Sequence, residues 1–582
     1  MAVYSRGVQL YKFLIHFLVS LSCLIALQSC SDLKSIQVVT PSESMASRAP
    51  EQNLVTPTTS ATPTTSATPT LSSESPDAFK KISLNVWPPA SEVLSSNGCS
   101  SAMSGLRTFN VGPDKEYKEL DTIPWLTMRA GDVVNIFYRQ EPYRTKFGLR
   151  VQATVDQPFI INGVTNSNCD KPIISGENAK TADDSRAASF AQDFQSQGLI
   201  IIWRQSSDSN DTYKAKNIII LNLKLINTRS SYSFYNNSGA LTKYDDFNAA
   251  IYARRVSGLR VENCEISNNS QAVFTNSAGQ NSNDYSEYII IRKNKIYSNG
   301  VSGNQFLHGL YLQARRTLIE SNYFGRNVVN SAGFNVKDRS SGTVIRYNKF
   351  DTSSRAIDLS ETEEEYTSNV KSDLLYQHAW VYGNIINSDY NVNGAREHLL
   401  NFGYDNNPDR TRKFLHFYHN TIMSKSNSDQ LRYMSIINVN EFTNLPVIYL
   451  SNNLVKHTGT SPYYILRNQG TAHLSGVNIL PLKWGNSESM LGTVVNSYSN
   501  QIDTNDPKIN QTTFRPLTNS PASNSANITT LNTVANSDLS INNLLVSHEI
   551  DIEKLNANAS SVGLKARRIT GSKDIGALDQ SN

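Results

Sequence analysis

The chain has 582 residues, with 54 Lys and Arg against 50 Asp and Glu, a formal net charge of +4. So small and scattered a charge argues against a nucleic-acid partner, and no basic helix or basic–aromatic cluster supports one. Length alone permits several domains, but one solenoid can absorb most of this chain.

Residues 1–29 read as a targeting segment: Arg6 and Lys12 precede an apolar run over 13–27, too short for a spanning helix. The run ends in Leu27-Gln28-Ser29-Cys30, which resembles a bacterial lipobox. That resemblance implies lipidation of Cys30, with Ser31 after it favouring the outer membrane or cell surface. A plain secretory signal with an incidental cysteine is the alternative. Residues 30–80 form a tether, because TPTTSATPTTSATPT can bury no core and stays extended.

Residues 81–500 are expected to form the solenoid. TMRAGDVVNIFY, with Gly131-Asp132 before a β-branched run, predicts a turn feeding a first long strand, and PFIINGV and KPIISG read as early coil turns. Eight segments then share one pattern of alternating apolar residues, a small or amide residue, one spacer and another apolar residue. They include IIIRKNKI, TLIESNYF, TVIRYNKF, AWVYGNII and LHFYHNTI. Their anchors are Leu223, Cys264, Asn294, Asn322, Asn348, Asn384, Asn420 and Asn453, spaced by 41, 30, 28, 26, 36, 36 and 33 residues, with a ninth at Asn478.

Alternation over five or six residues makes a strand with one buried face. The recurrent Asn belongs at the bend after it, where its amide can bond to the backbone and to the Asn of the next coil. A short strand repeated at a coil's circumference, with variable insertions, defines a solenoid. No amphipathic helical run interrupts 200–480. The expected fold is all-β, a single-stranded right-handed parallel β-helix. Residues 501–582 are its C-terminal end: FRPLTNSPA (514–522) and DIGAL (574–578) resemble segments that cover the open end of such proteins, where an unpaired edge needs protection.

Beyond Cys30 the cysteines are Cys99, Cys169 and Cys264. Cys264 occupies an anchor position and reads as a buried, inert thiol. Cys99 and Cys169 are candidates for pairing in an oxidising compartment, and sequence leaves that open.

The chemistry concentrates in 308–360. Alternation places Leu310, Leu312, Phe334, Val336, Ile357, Leu359, Ile251 and Ala253 inward. Outward it leaves Tyr252, Arg254, Tyr311, Gln313, Asn335, Lys337, Ala356 and Asp358. If the strands share a sheet, these residues line one groove along the solenoid axis. Aromatic faces, amides and cations in a row suit a sugar chain.

Over about 305–360 as motif, and 100–580 as architecture, the chain resembles right-handed β-helix polysaccharide lyases of the chondroitinase B and alginate lyase type. The resemblance implies β-elimination on a uronate: a cation neutralises the carboxylate and a Lys removes the neighbouring proton. Lys337 matches that Lys in local context, with Arg339 a competing match. The family's Arg falls near Leu359 or Ser360 here, leaving Arg355 as the nearest substitute.

Bland readings stand beside these. Lys337 and Asp358 could form a salt bridge between coils with no catalytic role. Asp358, Glu361, Glu363, Glu364 and Glu365 could bind Ca²⁺, or be a solvated acidic loop. No cofactor other than Ca²⁺ is implied, and the metal ligands stay unknown. His308 reads as a structural turn residue, and His398, His416 and His419 are assigned no chemistry. The acidic clusters and Asp-His motifs of polygalacturonases, pectate lyases and mannuronan epimerases are absent, as are zinc, P-loop and triad spacings. The expectation is a lipid-anchored protein that engages an acidic polysaccharide, by elimination or as a non-catalytic adhesin or exopolysaccharide-handling surface protein.

Overall fold

In the computed structural model, the described residues run from 99 to 580 with interruptions, the longest at 204–212 and 527–545. The signal, Cys30 and the tether lie outside them, as do Glu364 and Glu365. Three sheets of 13, 14 and 11 described strands wind around one axis, parallel except where Ser233–Tyr235 and Leu241–Lys243 pair antiparallel at the edge of the second, and successive coils contribute one strand to each in turn. One coil shows the pattern: Glu287–Arg292 in the first sheet, Lys295–Tyr297 in the third and Leu310–Leu312 in the second. This is a right-handed parallel β-helix. Its core is the stack of inward Ile, Leu, Val and Phe from all three sheets, with Ile289, Ile296 and Leu310 fully or almost fully buried in that coil.

The asparagine anchors build the bend between the first and third sheets. Each Nδ2 donates to the Oδ1 of the next anchor, from Asn294 to Asn322 (3.0 Å) through Asn348, Asn384, Asn420 and Asn453 to Asn478 (3.1 Å). The backbone N–H of each anchor donates to the same oxygen, at 2.9 Å for Asn294 and 2.8 Å for Asn322. The residue before each of these bends is left-handed: Asn222, Asn263, Lys293, Ser321, Tyr347, Gly383, His419 and Asn452 all have φ between 50° and 64°. That conformation costs a non-glycine residue roughly 1–2 kcal/mol, and the anchor's bonds offset it. Cys264 sits in the ladder as a buried thiol, pushed up to about 12 by burial.

At the N-terminal end, Val133–Phe137 forms the expected strand after Gly131 (φ 79°), but Thr108–Val111 precedes it and pairs with it in parallel. Cys99 and Cys169 are joined in a disulfide. Opening it with Cys99→Ser and Cys169→Ser should lower stability by roughly 2–4 kcal/mol, read as a lower urea midpoint matched by reductant on the native chain.

After Ile502–Asp503 adds the last described strand of the third sheet, the described part of the C-terminal segment folds back along the outside of that sheet. There Ile385, Met423, Leu454 and Ile479 are apolar on the outward face, and Ile509, Phe514, Ile550, Ile552 and Leu555 cover them. Gly576 N–H donates to Asn452 O (2.9 Å), Ala577 N–H to Thr421 Oγ1 (2.9 Å), and Ser321 Oγ to Gly563 O (3.1 Å), so the arm spans several coils. An apolar outward face needs burial more than a short terminal strand does.

On the outer face of the first sheet, Trp380, His416, Tyr449 and His473 stack at 5.5–5.6 Å, and His378 Nδ1 lies 3.0 Å from His416 Nε2. Burial, then His378, lowers the His416 imidazole to about 3. The unfolded chain therefore binds the extra proton between pH 6.5 and 3, and stability falls as pH falls through that window. By pH 5 the loss should be roughly 2 kcal/mol. His416→Phe should flatten the thermal midpoint between pH 7 and 5.

Candidate functional site

Parallel register puts one residue of every coil in line on the outward face of the second sheet. Tyr252, Phe274, Tyr311 and Lys337 stand in successive register positions, followed by Asp358, Asn401, Asn438 and Arg467. Neighbours in such a line are about 4.8 Å apart. The first half is aromatic, with Tyr252 stacked on Phe274 at 4.8 Å and Phe274 tilted against Tyr311 at 5.3 Å. The second half is charged and amide-bearing.

A hydrogen-bonded chain runs along this second half. Arg339 Nε donates to Tyr311 Oη (3.0 Å) and its Nη2 to Asp405 Oδ2 (2.7 Å). Lys337 Nζ donates to the same Asp405 oxygen (2.7 Å) and to Asp358 Oδ2 (2.8 Å). Asn401 Nδ2 donates to Asp358 Oδ1 (2.8 Å), Asn438 Nδ2 to Asn401 Oδ1 (2.7 Å), and Asn468 Nδ2 to Asn438 Oδ1 (2.8 Å). Burial opposes the Asp358 charge, but Lys337, Ser360 and Asn401 outweigh it and hold the carboxyl well below its usual range. Burial also opposes the Arg339 charge, and Tyr311, Glu363, Glu361 and Asp405 more than restore it.

Beside this chain opens a cavity of about 330 Å³. Lys337, Asp358, Asn401, Asn438 and Arg467 form its floor, with Arg355, His308, Phe334, His398, Asp405 and Phe306 around them. Tight backbone packing shapes the wall: a Cβ at Gly333 would lie 1.7 Å from Leu307 O, and one at Gly309 2.5 Å from Asn335 O. His308 Nδ1 accepts from Phe334 N–H (3.0 Å). Burial, then Lys337, drives its imidazole well below 6.5, so it is neutral with its proton on Nε2. Arg355 Nη1 donates to Ala332 O (2.8 Å) and lies over the Phe334 ring at 5.0 Å. Arg467 pairs with Glu397 at 3.1 Å.

Of the residues singled out from sequence, Lys337, Arg355 and Asp358 line this cavity, while Arg339 and Tyr311 join it through Asp405. Arg254 stands apart, over Trp203 at 5.2 Å, and Tyr252 lies three register steps from Lys337, 7 % exposed beneath its stacking partner. Gln313 is buried past its strand end and accepts from Glu363 N–H (3.4 Å). Asn335 and Ala356 do not face outward. Alternation fails where the chain bends into the sheet: Asn335 is buried and donates to Gly325 O (2.9 Å), and Ala356 is in the core. Phe334, expected inward, instead walls the cavity.

The described acidic residues Asp358, Glu361 and Glu363 are engaged by cations. Glu361 and Glu363 pair with Arg339 at 3.6 and 3.1 Å. Among the described residues, no three His, Cys, Asp or Glu side chains are grouped to hold an ion. Sequence reasoning missed Asp405, Asn401, Asn438, Arg467 and His398. Asn401 and Asn438 carried a signal, because each lies in an alternating apolar run (HLLNFG, MSIINVN) that continues the register.

Fold and site together define a parallel β-helix with a polar, charge-paired cavity on one solvent-facing sheet. No family model and no curated protein matches the chain. Among solved structures it is similar to the GH136 lacto-N-biosidase from Eubacterium ramulus, with 11% identity and a TM-score of 0.39 over 68% of each chain. It is similar to pectate lyase Pel9A at 9% identity and 0.35, covering 85% of this chain and 100% of that one. For pectin methylesterase PemA from Erwinia chrysanthemi the values are 10% and 0.23, over 71% and 97%.

Proposed function

We propose that the protein is polysaccharide-active and engages an acidic glycan along the second sheet, with one uronate unit seated in the cavity. The observation that carries this reading is the single register line in which aromatic rings lead into amides and cations. Rings stack on sugar faces, amides bond to hydroxyls, and Arg355 and Arg467 at the cavity suit a carboxylate.

The reaction proposed is β-elimination. Lys337 takes the proton beside the carboxylate, and the glycosidic oxygen leaves with the bonding pair. To act so, Lys337 must first give up a proton that it shares with Asp358 and Asp405. Asp405 is the partner that can yield, because its side chain is 42% exposed against 3% for Asp358. The ion pair itself favours a second reading, in which the same groove binds without turnover and Lys337 is a fixed charged donor. Carriage on a lipid anchor at Cys30, at the outer membrane or cell surface, belongs to either reading.

Ultraviolet absorbance separates them. Elimination creates a conjugated, absorbing unsaturated uronate, whereas binding and hydrolysis do not. Alginate, pectate, chondroitin and dermatan, each with and without Ca²⁺, should yield a rising signal with at least one. A flat signal with all, alongside retained binding, would establish the second reading.

A further inference from the structure

Phe306 stands at the wall of the Lys337 cavity and is 61% exposed. The loop that carries it is braced on both sides. Gly303 N–H donates to Asn330 O (3.2 Å), Phe306 N–H to Asn304 Oδ1 (2.8 Å), and Gly309 N–H to Phe334 O (2.9 Å). A fixed backbone therefore holds an apolar ring in water, a position that folding alone does not reward. Two residues on, His308 lies in the same wall and is 4% exposed. Its ring centroid is 5.7 Å from that of Tyr311 and 6.1 Å from that of Phe334, and its Nδ1 is taken by the Phe334 N–H. Nε2 has no hydrogen-bond partner among the described residues, and it is not sealed from solvent. The polar edge left over opens on the cavity.

We infer that Phe306 and His308 are the sugar-recognising pair of this cavity. Phe306 stacks on the face of a pyranose unit at the mouth, and His308 Nε2–H donates to an oxygen of the unit seated inside. The inference rests on the reading that the cavity takes a glycan, and it adds to that reading two contacts that carry no charge. Neither contact needs a cation released from its protein partner. The C–H face of a sugar ring covers an aromatic ring that water would otherwise meet, and a hydroxyl or ring oxygen takes the place of water on Nε2. Both contacts serve equally whether the cavity cleaves its glycan or only binds it.

The test is affinity electrophoresis of the full chain through gels holding alginate, pectate, chondroitin or dermatan. On a glycan that retards the native chain but not Lys337→Ala, Phe306→Ala should weaken retardation about fivefold, and Phe306→Trp should keep it. His308→Phe should also weaken it about fivefold, and His308→Gln, whose amide nitrogen can donate in place of the imidazole, should restore most of it. Phe306 is exposed, so its variants report even where His308→Phe fails to fold. Retardation unchanged by Phe306→Ala, where Lys337→Ala abolishes it, overturns this inference and leaves the glycan reading standing. A loss in Phe306→Trp as large as in Phe306→Ala overturns the stacking role. No retardation of the native chain by any of these glycans overturns the glycan reading and this inference together.

Discussion

Replacing Arg412 by alanine is expected to destabilise the protein by about 3–5 kcal/mol, the usual result of stripping one partner from a buried ion pair. Arg412 and Asp338 have fully buried side chains, with Nη2 to Oδ1 at 3.1 Å. Arg412 also donates to Asp338 O (3.0 Å) and Thr343 Oγ1 (3.3 Å), while Asp338 Oδ1 accepts from Ser340 N–H (3.0 Å). Asp338 pairs in register with Leu312 and Leu359, both core residues, so its carboxylate occupies an inward position. Without Arg412 that charge has no counter-ion among the described residues. Asp338→Asn should recover much of the loss in the double variant, because a neutral amide is far cheaper to bury than an anion. A thermal melt of both single variants and the double one gives the coupling. A fall below about 1 kcal/mol for Arg412→Ala would show the pair to be dispensable.

Lys337→Ala should be the most damaging change to function. It removes a donor to two carboxylates and leaves Asp358, 2% exposed, with Ser360 and Asn401 as its side-chain donors among the described residues. Glycan binding at the second sheet should weaken by 2–5 kcal/mol, the range for truncating one member of a buried charge pair. If the protein turns substrate over, a further rate loss of about 10²–10⁴ accompanies removal of the base. Asp405→Ala separates the two effects. Its side chain is largely open, so stability should change by under about 1 kcal/mol, while the rate should rise if Asp405 must leave Lys337 before chemistry. A rate that falls as far as in Lys337→Ala would instead make Asp405 part of the binding surface.

The repeat was legible in the chain because it is local. Strand alternation and the anchor at the following bend lie within nine residues, and Asn294 through Asn478 form the ladder that their spacing implied. The groove was half legible for the same reason: Tyr311, Lys337 and Asp358 alternate with core residues in short strands, and parallel pairing must then align them. The failures sit where alternation meets a bend, as at Asn335 and Phe334, since period two holds only while the chain is extended.

What the sequence by itself determined is therefore the coil, its core and one line of outward side chains. Only tertiary structure decided what converges on that line. Asp405 lies 68 residues from Lys337 and Arg467 lies beyond it, brought together by stacking and by insertions whose paths no local pattern encodes. The same holds for the C-terminal arm. Its apolar residues announce that something must be covered, but which face depends on where Ile385, Met423, Leu454 and Ile479 line up after coiling. Burial is a property of the assembled surface, and surfaces exist only after the chain has folded.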